Sequence, residues 1–503
     1  MESSNFRPEN WQAYLVILLL TLVVRLVLNA RHRSPLANVP GPYFASVSRL
    51  CHAYHIFRGD NNTWTRALHE RYGHFVRLAP NEVSVSHPDG PALILQAPLR
   101  KADWYRVFAL PDYRYVNTPS LLDPKAKAVR ARLFAPAFQL SNLLRAEPHF
   151  DAVIACLLDR LDEHAASGQP MDLNRYLSFA ALDVAGEALF SRPLGFLAAG
   201  RDLGGHLAQS AALNRYAAVA GHFWPLHVLL VANPAVTWTG LLAGGHVLRT
   251  VRAALRRRWG DGGGDDKGDA RFDVLAHWMR AQRENPDALS QRDVEAQVII
   301  TMSAASDTVS CAIQSFVYHM IANPPSWARA RREIEAERAR GFCQDRVVSY
   351  HDSQRLPYLR ACVNEAVRVF GPSPMGLARM APKGGLSIGD RHFPEGTTLS
   401  INPNVMQLSK ECWGPDAGEW NPDRWFAEDI SSKMKYWIAF GLGGNKCPGE
   451  NLAQMELFKI AATLVRDYSF RQVDPENRWQ WKAYITRVPH SWPVYVEKQS
   501  GHF

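Results

Sequence analysis

Apolar positions recur along most of the chain at the three- and four-residue spacing of an α-helix. The longest such segment begins at Ser290, where Asp293 completes a capping box. It is expected to run to Ala322, just before Asn323-Pro324-Pro325, because consecutive prolines end a helix. A helix of this size would be about 48 Å long and would cross an entire domain.

Strict alternation of apolar and polar residues is confined to short segments. Phe75–Ala79 and Glu82–Val85 alternate around a turn at Pro80-Asn81, which predicts a hairpin. Leu386–Ile388 and Thr397–Ile401 repeat this hairpin pattern further along the chain. The predicted fold class is therefore mainly α with small β-sheets.

The N-terminal region contains an apolar run, Trp11–Leu28, that is long enough to span a bilayer as a helix. A cleaved signal peptide is disfavoured because acidic residues precede the run and no small-residue cleavage site follows it. The basic cluster Arg31-His32-Arg33 places the rest of the chain in the cytosol by the positive-inside rule. We therefore predict a lumenal segment at 1–10, a transmembrane anchor at 11–28, a basic and proline-rich hinge at 29–42, and a catalytic domain at 43–503.

Two further segments stand out. Phe223–Val231 is apolar but too short to span a membrane, and it is interrupted by Pro225, so core packing is its default interpretation. Gly260–Gly268 is rich in Gly and Asp and predicts an exposed loop.

Composition narrows the class of protein. The net charge of +9 suggests an acidic partner or an anionic membrane surface, whereas dispersed charges without a binding motif argue against nucleic acid. The 7 cysteines are odd in number and include no C-x-x-C pair, which favours a reducing compartment over a disulfide framework. The histidines show no metal-ligand spacing.

The clearest chemical signal is the glycine-rich loop Phe440–Gly449, which presents Cys447 just before a predicted helix, Glu450–Val465. A thiolate is a strong axial ligand for iron, and glycines let the chain approach a flat group closely. A buried structural cysteine and a phosphate loop are the alternatives. The G-K-[ST] ending of a phosphate loop is missing.

A second signal lies inside the long helix, at Ala304–Thr308. Ser, Asp and Thr compete with the backbone for hydrogen bonds, so their clustering in an apolar helix calls for a reason. Asp307 can relay protons, and the hydroxyl of Thr308 can form a hydrogen bond with a group bound beside the helix. A water-filled kink without chemistry is the alternative.

A third and a fourth signal follow. Leu356-Pro357 opens a helix that contains Glu365 and Arg368, which share one face at i and i+3. Asn421–Arg424 comes later and supplies a second arginine.

These elements, in this order, resemble those of the cytochrome P450 superfamily of haem-thiolate monooxygenases, microsomal type. The family patterns are [AG]-G-x-[DE]-T, E-x-x-R, P-x-R and F-x-x-G-x-R-x-C-x-G, with Ala305 here in place of a glycine. The resemblance implies haem b with Cys447 as the axial ligand to iron. It implies catalytic roles for Asp307 and Thr308. It also implies a buried structural triad and a set of haem-contacting loop residues: Glu365, Arg368 and Arg424 in the triad, and Phe440, Gly443, Asn445 and Gly449 in the loop.

One position departs from the family pattern. Asn445 stands where the loop normally has an arginine that binds a haem propionate, and asparagine supplies no charge. Lys446 is a candidate for partial compensation. The resemblance assigns the remaining propionate contacts to Arg379 first, and then to Arg132 or Lys127.

By the same resemblance, the protein is a single-pass protein of the endoplasmic reticulum membrane, with its catalytic domain in the cytosol and in contact with membrane lipid. For Phe223–Val231 the resemblance implies an alternative to core packing, in which the segment caps the substrate channel and dips into the bilayer. The protein would be a monomer that takes electrons from NADPH through a reductase, with cytochrome b5 as a second donor, and would insert one oxygen atom from O2 into a lipophilic small molecule. A haem-thiolate isomerase or peroxide-driven enzyme and a catalytically silent haem-binding protein stay open as alternatives.

The substrate pocket is expected between four segments, many of whose residues are aromatic or aliphatic: Lys101–Thr118, Phe223–Val231, Ser373–Leu377 and Pro489–Trp492. The phrases Arg77–Glu82 and Ile401–Pro403 resemble those of filamentous-fungal members. They favour a tailoring step in secondary-metabolite biosynthesis.

Overall fold

The computed structural model describes residues 11–239, 246–260, 272–476 and 478–499. The predicted lumenal segment 1–10 and residues 261–268 of the predicted loop lie outside the described residues. The α-helices of the described chain are α1 (Trp11–His32), α2 (Leu50–Arg58), α3 (Asn61–Tyr72), α4 (Pro124–Phe134), α5 (Leu140–Ser167), α6 (Leu173–Phe190), α7 (Phe196–Ala199), α8 (His206–Ala220), α9 (Trp224–Leu230), α10 (Pro234–Thr239), α11 (His246–Gly260), α12 (Val274–Glu284), α13 (Gln291–Ala322), α14 (Pro324–Ala339), α15 (Tyr350–Ser353), α16 (Pro357–Val369), α17 (Pro403–Gln407), α18 (Lys410–Trp413), α19 (Ile430–Lys433) and α20 (Glu450–Asp467).

The strands are short and form four small sheets. They are β1 (Phe75–Ala79), β2 (Glu82–Val85), β3 (Met171–Asp172), β4 (Leu377–Met380), β5 (Leu386–Ile388), β6 (Arg391–Phe393), β7 (Thr398–Ile401), β8 (Tyr468–Gln472), β9 (Trp481–Ala483), β10 (Arg487–Pro489) and β11 (Pro493–Lys498). The largest sheet has the order β1-β2-β7-β4, in which only β2 and β7 are parallel. The others are β3-β11-β8, β5-β6 and β9-β10, so the mainly helical fold class with small sheets is confirmed.

Helix α13 is the centre of the fold. Ser290 and Asp293 form the predicted capping box, and the helix spans 32 residues to Ala322, as the sequence predicted. It packs against α6, α16 and α20. Most of its length is buried in the main hydrophobic core.

The strand predictions hold in position but not in every pairing. β1 and β2 form the predicted antiparallel hairpin, in which Phe75 lies opposite Val85. The second predicted hairpin is wrong, because β5 pairs with β6 while β7 joins the large sheet between β2 and β4. The intervening Arg391–Phe393 forms the closer antiparallel partner, which the alternation pattern did not single out.

The N-terminal helix is longer than the predicted anchor. α1 continues to His32, so the first residues of the predicted hinge are helical. Its large apolar side chains from Trp11 to Val24 are exposed along this length. By length and composition, α13 is the helix of the described chain that could cross a membrane. However, 67% of its most apolar window is buried inside the protein. The apolar stretch Trp11–Arg25 of α1 is shorter.

The linker after α1 is fastened to the domain. Arg77, on β1, donates from its guanidinium to Ser34 Oγ at 2.8 Å and to the carbonyl oxygen of Pro80 at 2.7 Å. The backbone N–H of Arg77 donates to the carbonyl oxygen of Pro40 at 2.8 Å. Leu36 is buried in a core cluster under the large sheet. The proline-rich segment is therefore part of the domain surface.

Gly41 is required by this close approach. A Cβ atom there would lie 2.4 Å from the backbone oxygen of Arg77. We expect Gly41→Ala to destabilise the protein by about 1 to 3 kcal/mol, since two backbones cannot separate without losing the linker contacts. Thermal unfolding at a fixed scan rate measures the change.

Gly418→Ala is the matched control, because a Cβ there meets nothing within 4 Å. Equal unfolding temperatures for the two variants would show that the linker is not held by this contact.

Candidate active site

The cysteine loop forms a compact turn before α20. The backbone N–H of Cys447 donates to the carbonyl oxygen of Phe440 at 2.7 Å, which closes the loop on itself. Gly441 and Gly443 have φ of 72° and 59°, a region that favours glycine. Phe440 is half-buried at the start of the turn. The loop therefore holds Cys447 by backbone geometry.

The loop glycines serve different purposes. A Cβ at Gly443 would lie 2.8 Å from backbone atoms of Gln96 and Leu95, so this glycine lets the loop pack against the helical turn Pro91–Gln96. A Cβ at Gly444 or Gly449 would meet nothing within 4 Å. Close approach to a flat group is thus compatible with Gly444 and Gly449, whereas Gly443 is explained by protein packing.

Burial and hydrogen bonding act on the Cys447 thiol in opposite directions. Desolvation by the protein atoms around the sulfur raises the pKa of the Cys447 thiol, and the backbone N–H of Gly449 opposes that rise. The cysteine is nevertheless exposed, so its side chain faces open space. The flanking amides alone therefore do not keep this sulfur ionised, and a bound metal ion would supply that stabilisation.

Three cations gather beside the loop. Arg379, on β4, is 3% exposed and donates to the hydroxyl of Tyr105 at 3.2 Å. Lys101 pairs with Arg379 in an isolated antiparallel bridge and donates to the carbonyl oxygens of Thr118 and Pro119.

Lys127, on α4, completes this cation cluster by donating to the carbonyl oxygen of Gly444. Burial, with repulsion from Arg379 and Lys127, lowers the pKa of Lys101 to about 6. Burial and Arg379 likewise lower the pKa of Lys127. Neither shift includes a compensating carboxylate, so the cluster is suited to binding an anion.

The other predicted cations are placed elsewhere. Arg132 is exposed at the last turn of α4, and within the described chain no hydrogen bond or ion pair joins it to Lys127 or Arg379. Lys446 is paired with Glu450 at 2.6 Å, so it does not replace the charge missing at Asn445. Lys127 reaches the loop at Gly444, directly beside Asn445, and is the nearest substitute.

The predicted notch in α13 is open. Ala304 is exposed although it lies midway along a buried helix. The hydroxyl of Thr308, one turn later, donates to the carbonyl oxygen of Ala304 at 2.8 Å. Thr308 and Ala304 therefore share one face of the helix, where a flat group has room.

Asp307 lies on a different face and contacts helix α8. Its carboxylate accepts hydrogen bonds from Asn214 Nδ2 at 2.7 Å and from Ser210 Oγ at 3.0 Å. Burial raises the pKa of Asp307 to about 6, against the lowering effect of these hydrogen bonds. A carboxyl group with this pKa can exchange a proton near neutral pH.

Glu365, Arg368 and Arg424 are brought together in the core. Arg368 donates to both carboxylate oxygens of Glu365, at 2.7 and 2.8 Å, and both side chains are fully buried. Arg424 Nε lies 3.4 Å from Glu365 Oε1. The geometry agrees with the arrangement that the family resemblance implies.

The network extends beyond these three residues. Arg424 also pairs with Asp416 at 2.8 Å, and the indole of Trp425 donates to Glu365 at 3.1 Å. Arg368 donates to the carbonyl oxygens of Gln407, Ala417 and Glu419. The network thus fixes the irregular segment that leads to the cysteine loop.

Sequence comparison agrees with this geometry. The family model for cytochrome P450 matches residues 39–491, which is most of the chain. The chain belongs to the cytochrome P450 family. The match begins in the linker and ends between β10 and β11, so it includes the cation cluster, the notch, the buried network and the cysteine loop.

Curated cytochrome P450 monooxygenases from fungi are among the relatives. The chain is 29% identical to cicH of Emericella nidulans over 97% of this chain and 99% of that protein. It is 30% identical to pkfB of the same organism over 88% of each. It is 29% identical to mpaDE of Penicillium roqueforti over 92% of this chain, but it spans only 56% of that longer protein.

Membership of the cytochrome P450 family implies haem with cysteine thiolate ligation, and the residues present fit that group. Cys447 is a sulfur donor facing open space, and Ala304 and Gly444 leave room for a flat ring. The uncompensated cations Lys101, Lys127 and Arg379 suit its propionates.

Sequence reasoning missed several members of the site. Lys101 and Tyr105 were assigned only to a substrate wall, because no local motif reveals that Lys101 pairs with Arg379. Ser210 and Asn214 were not singled out as partners of Asp307. Their i and i+4 spacing on α8 was the one available signal.

Removing cations from the cluster should weaken haem retention. We expect Arg379→Ala to lower the haem content per polypeptide most and Lys127→Ala less, because each leaves a propionate with fewer charged donors. Arg132→Ala should have a smaller effect than either. The ratio of Soret to protein absorbance after purification measures this retention without any turnover.

Lys125→Ala is the matched control, since Lys125 is exposed on the same helix. A loss of haem in Lys125→Ala equal to that in Lys127→Ala would attribute the effect to α4 as a whole.

Proposed function

We propose that this cytochrome P450 is a membrane-anchored monooxygenase that inserts one oxygen atom from O2 into a lipophilic small molecule. The observation that carries the proposal is the set of cations beside the cysteine loop, which lacks an anion of its own and meets the loop at Gly444. Haem, when bound, supplies oxygen activation at its iron. Cys447 would hold the iron, and Arg379, Lys127 and Lys101 would hold the propionates.

Asp307 and Thr308 would handle protons on opposite sides of the notch. Asp307 holds a proton at slightly acid pH and contacts the polar side chains of α8. Thr308 lies on the face with Ala304, to whose carbonyl oxygen its hydroxyl donates, so its hydroxyl oxygen would accept a hydrogen bond where oxygen reacts. A proton could pass from one to the other through water between the two faces of α13.

The substrate side of the proposal rests on a cavity of about 320 Å³. It is lined by Trp104, Trp224 and Met375, which lie in three of the four predicted wall segments. Glu82 and His222 add polar groups. Many other lining residues are polar, among them Arg49, Asn61 and Asn402. A lipophilic body that carries several hydrogen-bonding groups would fit such a lining, and the fungal relatives favour a tailoring step in secondary-metabolite biosynthesis.

Two apolar surfaces support membrane attachment. The side chains of α1 are exposed along the helix, as expected for an anchor in the endoplasmic reticulum membrane. α9 exposes Leu229 and Leu230 at 73% and 60%, while His227 on its inner side bonds the hydroxyl of Tyr216 at 2.8 Å. The patch at Phe223–Val231 is thus not simple core and would dip into the lipid.

Electrons would come from NADPH through a reductase, with cytochrome b5 as a second donor, and the protein would act as a monomer with its catalytic domain in the cytosol. The rivals, a haem-thiolate isomerase or peroxide-driven enzyme and a silent haem-binding protein, differ in their need for electrons. NADPH consumption with a reductase separates them. An isomerase or silent protein would consume none in a substrate-dependent manner.

The first test is the carbon monoxide difference spectrum of the reduced, full-length protein in membranes. We expect a Soret band at the long wavelength of thiolate-ligated haem, and we expect Cys447→Ser to lose it because an alcohol is a poor iron ligand. Cys156→Ser is the control, because Cys156 is exposed and distant in sequence from the cysteine loop. A long-wavelength band retained in Cys447→Ser would remove Cys447 as the ligand.

The pH dependence of coupling tests Asp307. Its pKa of about 6 means that the proton is held below that pH and lost as pH rises through it. Product formed per NADPH should therefore fall as pH rises through about 6, and this dependence should vanish in Asp307→Asn. Ser210→Ala should move the fall to higher pH, because the Ser210 hydroxyl stabilises the charged carboxylate.

Thr308→Ala is the comparison variant. It should lower coupling at every pH without moving the midpoint. A midpoint that stays fixed in Ser210→Ala would remove Asp307 from the proton path.

A further inference from the structure

A second cavity, of about 410 Å³, lies beside Asp307 and away from the predicted cofactor face of α13. Its walls come from α6, α8, α13 and the β9-β10 hairpin. Hydroxyls line it, and those of Ser178 and Ser310 are bonded to each other at 2.9 Å. Arg487 is at its inner side, and Lys482 and Arg215 are exposed at its rim.

Arg487 is a buried cation. It is 2% exposed, and its backbone N–H donates to the carbonyl oxygen of Pro372 at 2.9 Å. The guanidinium carbon lies 3.7 Å from the ring centre of Phe370 and 4.7 Å from that of Trp481. These rings occupy the space over the guanidinium, which leaves the donors at its edge for a ligand.

Those edge donors lack partners. Nε and Nη1 of Arg487 are buried and have no hydrogen-bond partner within the described chain. Burial lowers the pKa of Arg487 to about 10, and among the described residues the Cys311 thiol is the group that opposes this shift. Asp307 shares the cavity, but it is bound to Ser210 and Asn214. A buried guanidinium without a carboxylate is costly, so a counter-anion is expected.

The rim charges point in the same direction. Arg215 stacks over Phe57 at 3.8 Å and donates to its carbonyl oxygen, and it has no ion pair with an acid among the described residues. Lys482 is exposed on the opposite wall. The cavity therefore has positive charge at both depths. The one carboxylate among the described lining residues, Asp307, accepts hydrogen bonds from Ser210 and Asn214. Hydroxyls between the two depths can donate to an oxygen anion.

We propose that this cavity binds the carboxylate of a small organic acid, with Arg487 as its principal partner. A planar carboxylate matches the edge donors of a guanidinium whose faces are covered. The volume accommodates an aromatic or short aliphatic body behind the carboxylate. The acid is either a free anion that binds next to Asp307 or the acidic end of a substrate whose body would extend past α13 to the cofactor face; only the second of these rests on the proposed function.

The test compares an acid with its neutral isostere. Full-length protein in lipid nanodiscs is titrated calorimetrically with 3-phenylpropionate and 3-phenylpropionamide, and then with acetate and acetamide. In at least one pair, we expect the acid to bind about tenfold more tightly than the amide. Arg487→Gln should reduce that preference to less than about threefold, and Arg487→Lys should retain part of it.

Lys482→Gln is the matched control, because it removes a positive charge from the rim only and should keep most of the preference. Carbon monoxide spectra and unfolding temperatures establish that each variant is folded. Arg487→Gln also loses the stacking on Phe370 and Trp481. The comparison of acid with amide in the wild-type protein is therefore a test of the proposal by itself. Equal binding of acid and amide in both pairs, or a preference unchanged in folded Arg487→Gln, would overturn the proposal.

The source of the carboxylate follows from two further readouts. An acid that shifts the Soret band and is oxidised with NADPH and reductase is substrate-like. An acid that binds without either effect, and that acetate displaces, is a free anion. A protein that prefers acids but shows no thiolate-type carbon monoxide band would retain this site and lose the proposed monooxygenase function.

Discussion

The buried ion pair between Glu365 and Arg368 is the interaction on which the placement of the cysteine loop depends. Both groups are fully buried, and the cost of removing two charges from water is offset only when their remaining donors and acceptors are satisfied. Arg368 satisfies them with backbone carbonyls of the segment that precedes the loop, and Trp425 binds Glu365. Trp425 packs edge-on against Trp437 with ring centres 5.0 Å apart, just before the loop begins. The irregular chain is thus positioned by charge rather than by regular secondary structure.

Two other sites in the protein leave charge unbalanced. Lys101, Lys127 and Arg379 repel one another beside the cysteine loop. Arg487 lines the same cavity as Asp307, and its Nε and Nη1 have no hydrogen-bond partner among the described residues. The buried network shows that this chain can pair a buried arginine completely. We therefore interpret the missing counter-charges at these two sites as places where the charge of a bound ligand would complete the pairing. If an anion binds in both places, as proposed, its binding and the stability of the protein would be coupled, since the ligand would complete the electrostatics.

Much of this could be predicted from local sequence, and the remainder depended on long-range contacts. The capping box at Ser290 and the hairpin at Phe75 have signals within a few residues, and both are confirmed. The cysteine loop has an equally local signal, and its role as the haem ligand stays a prediction. The pairing of β7 with β2 was missed because a parallel partner can lie anywhere in the chain. The roles of Lys101 and Ser210 were missed because side chains from distant segments meet only after folding. Gly443 was interpreted as a cofactor contact, although its missing side chain makes room for Gln96.

The fastening of the linker changes what the N-terminal helix does mechanically. Arg77 forms hydrogen bonds with Ser34 and Pro40, and the guanidinium of Arg31 stacks over the ring of Tyr43 at 4.6 Å. Little free chain therefore remains between α1 and the domain. A helix joined in this way is a rigid connection to the domain and not a flexible tether. With α1 embedded in a bilayer, as proposed, the domain would keep one tilt relative to the lipid surface. Its exposed apolar helix α9 would then be presented at a constant depth. The domain would rotate about the membrane normal together with α1 and would not change its tilt relative to the anchor.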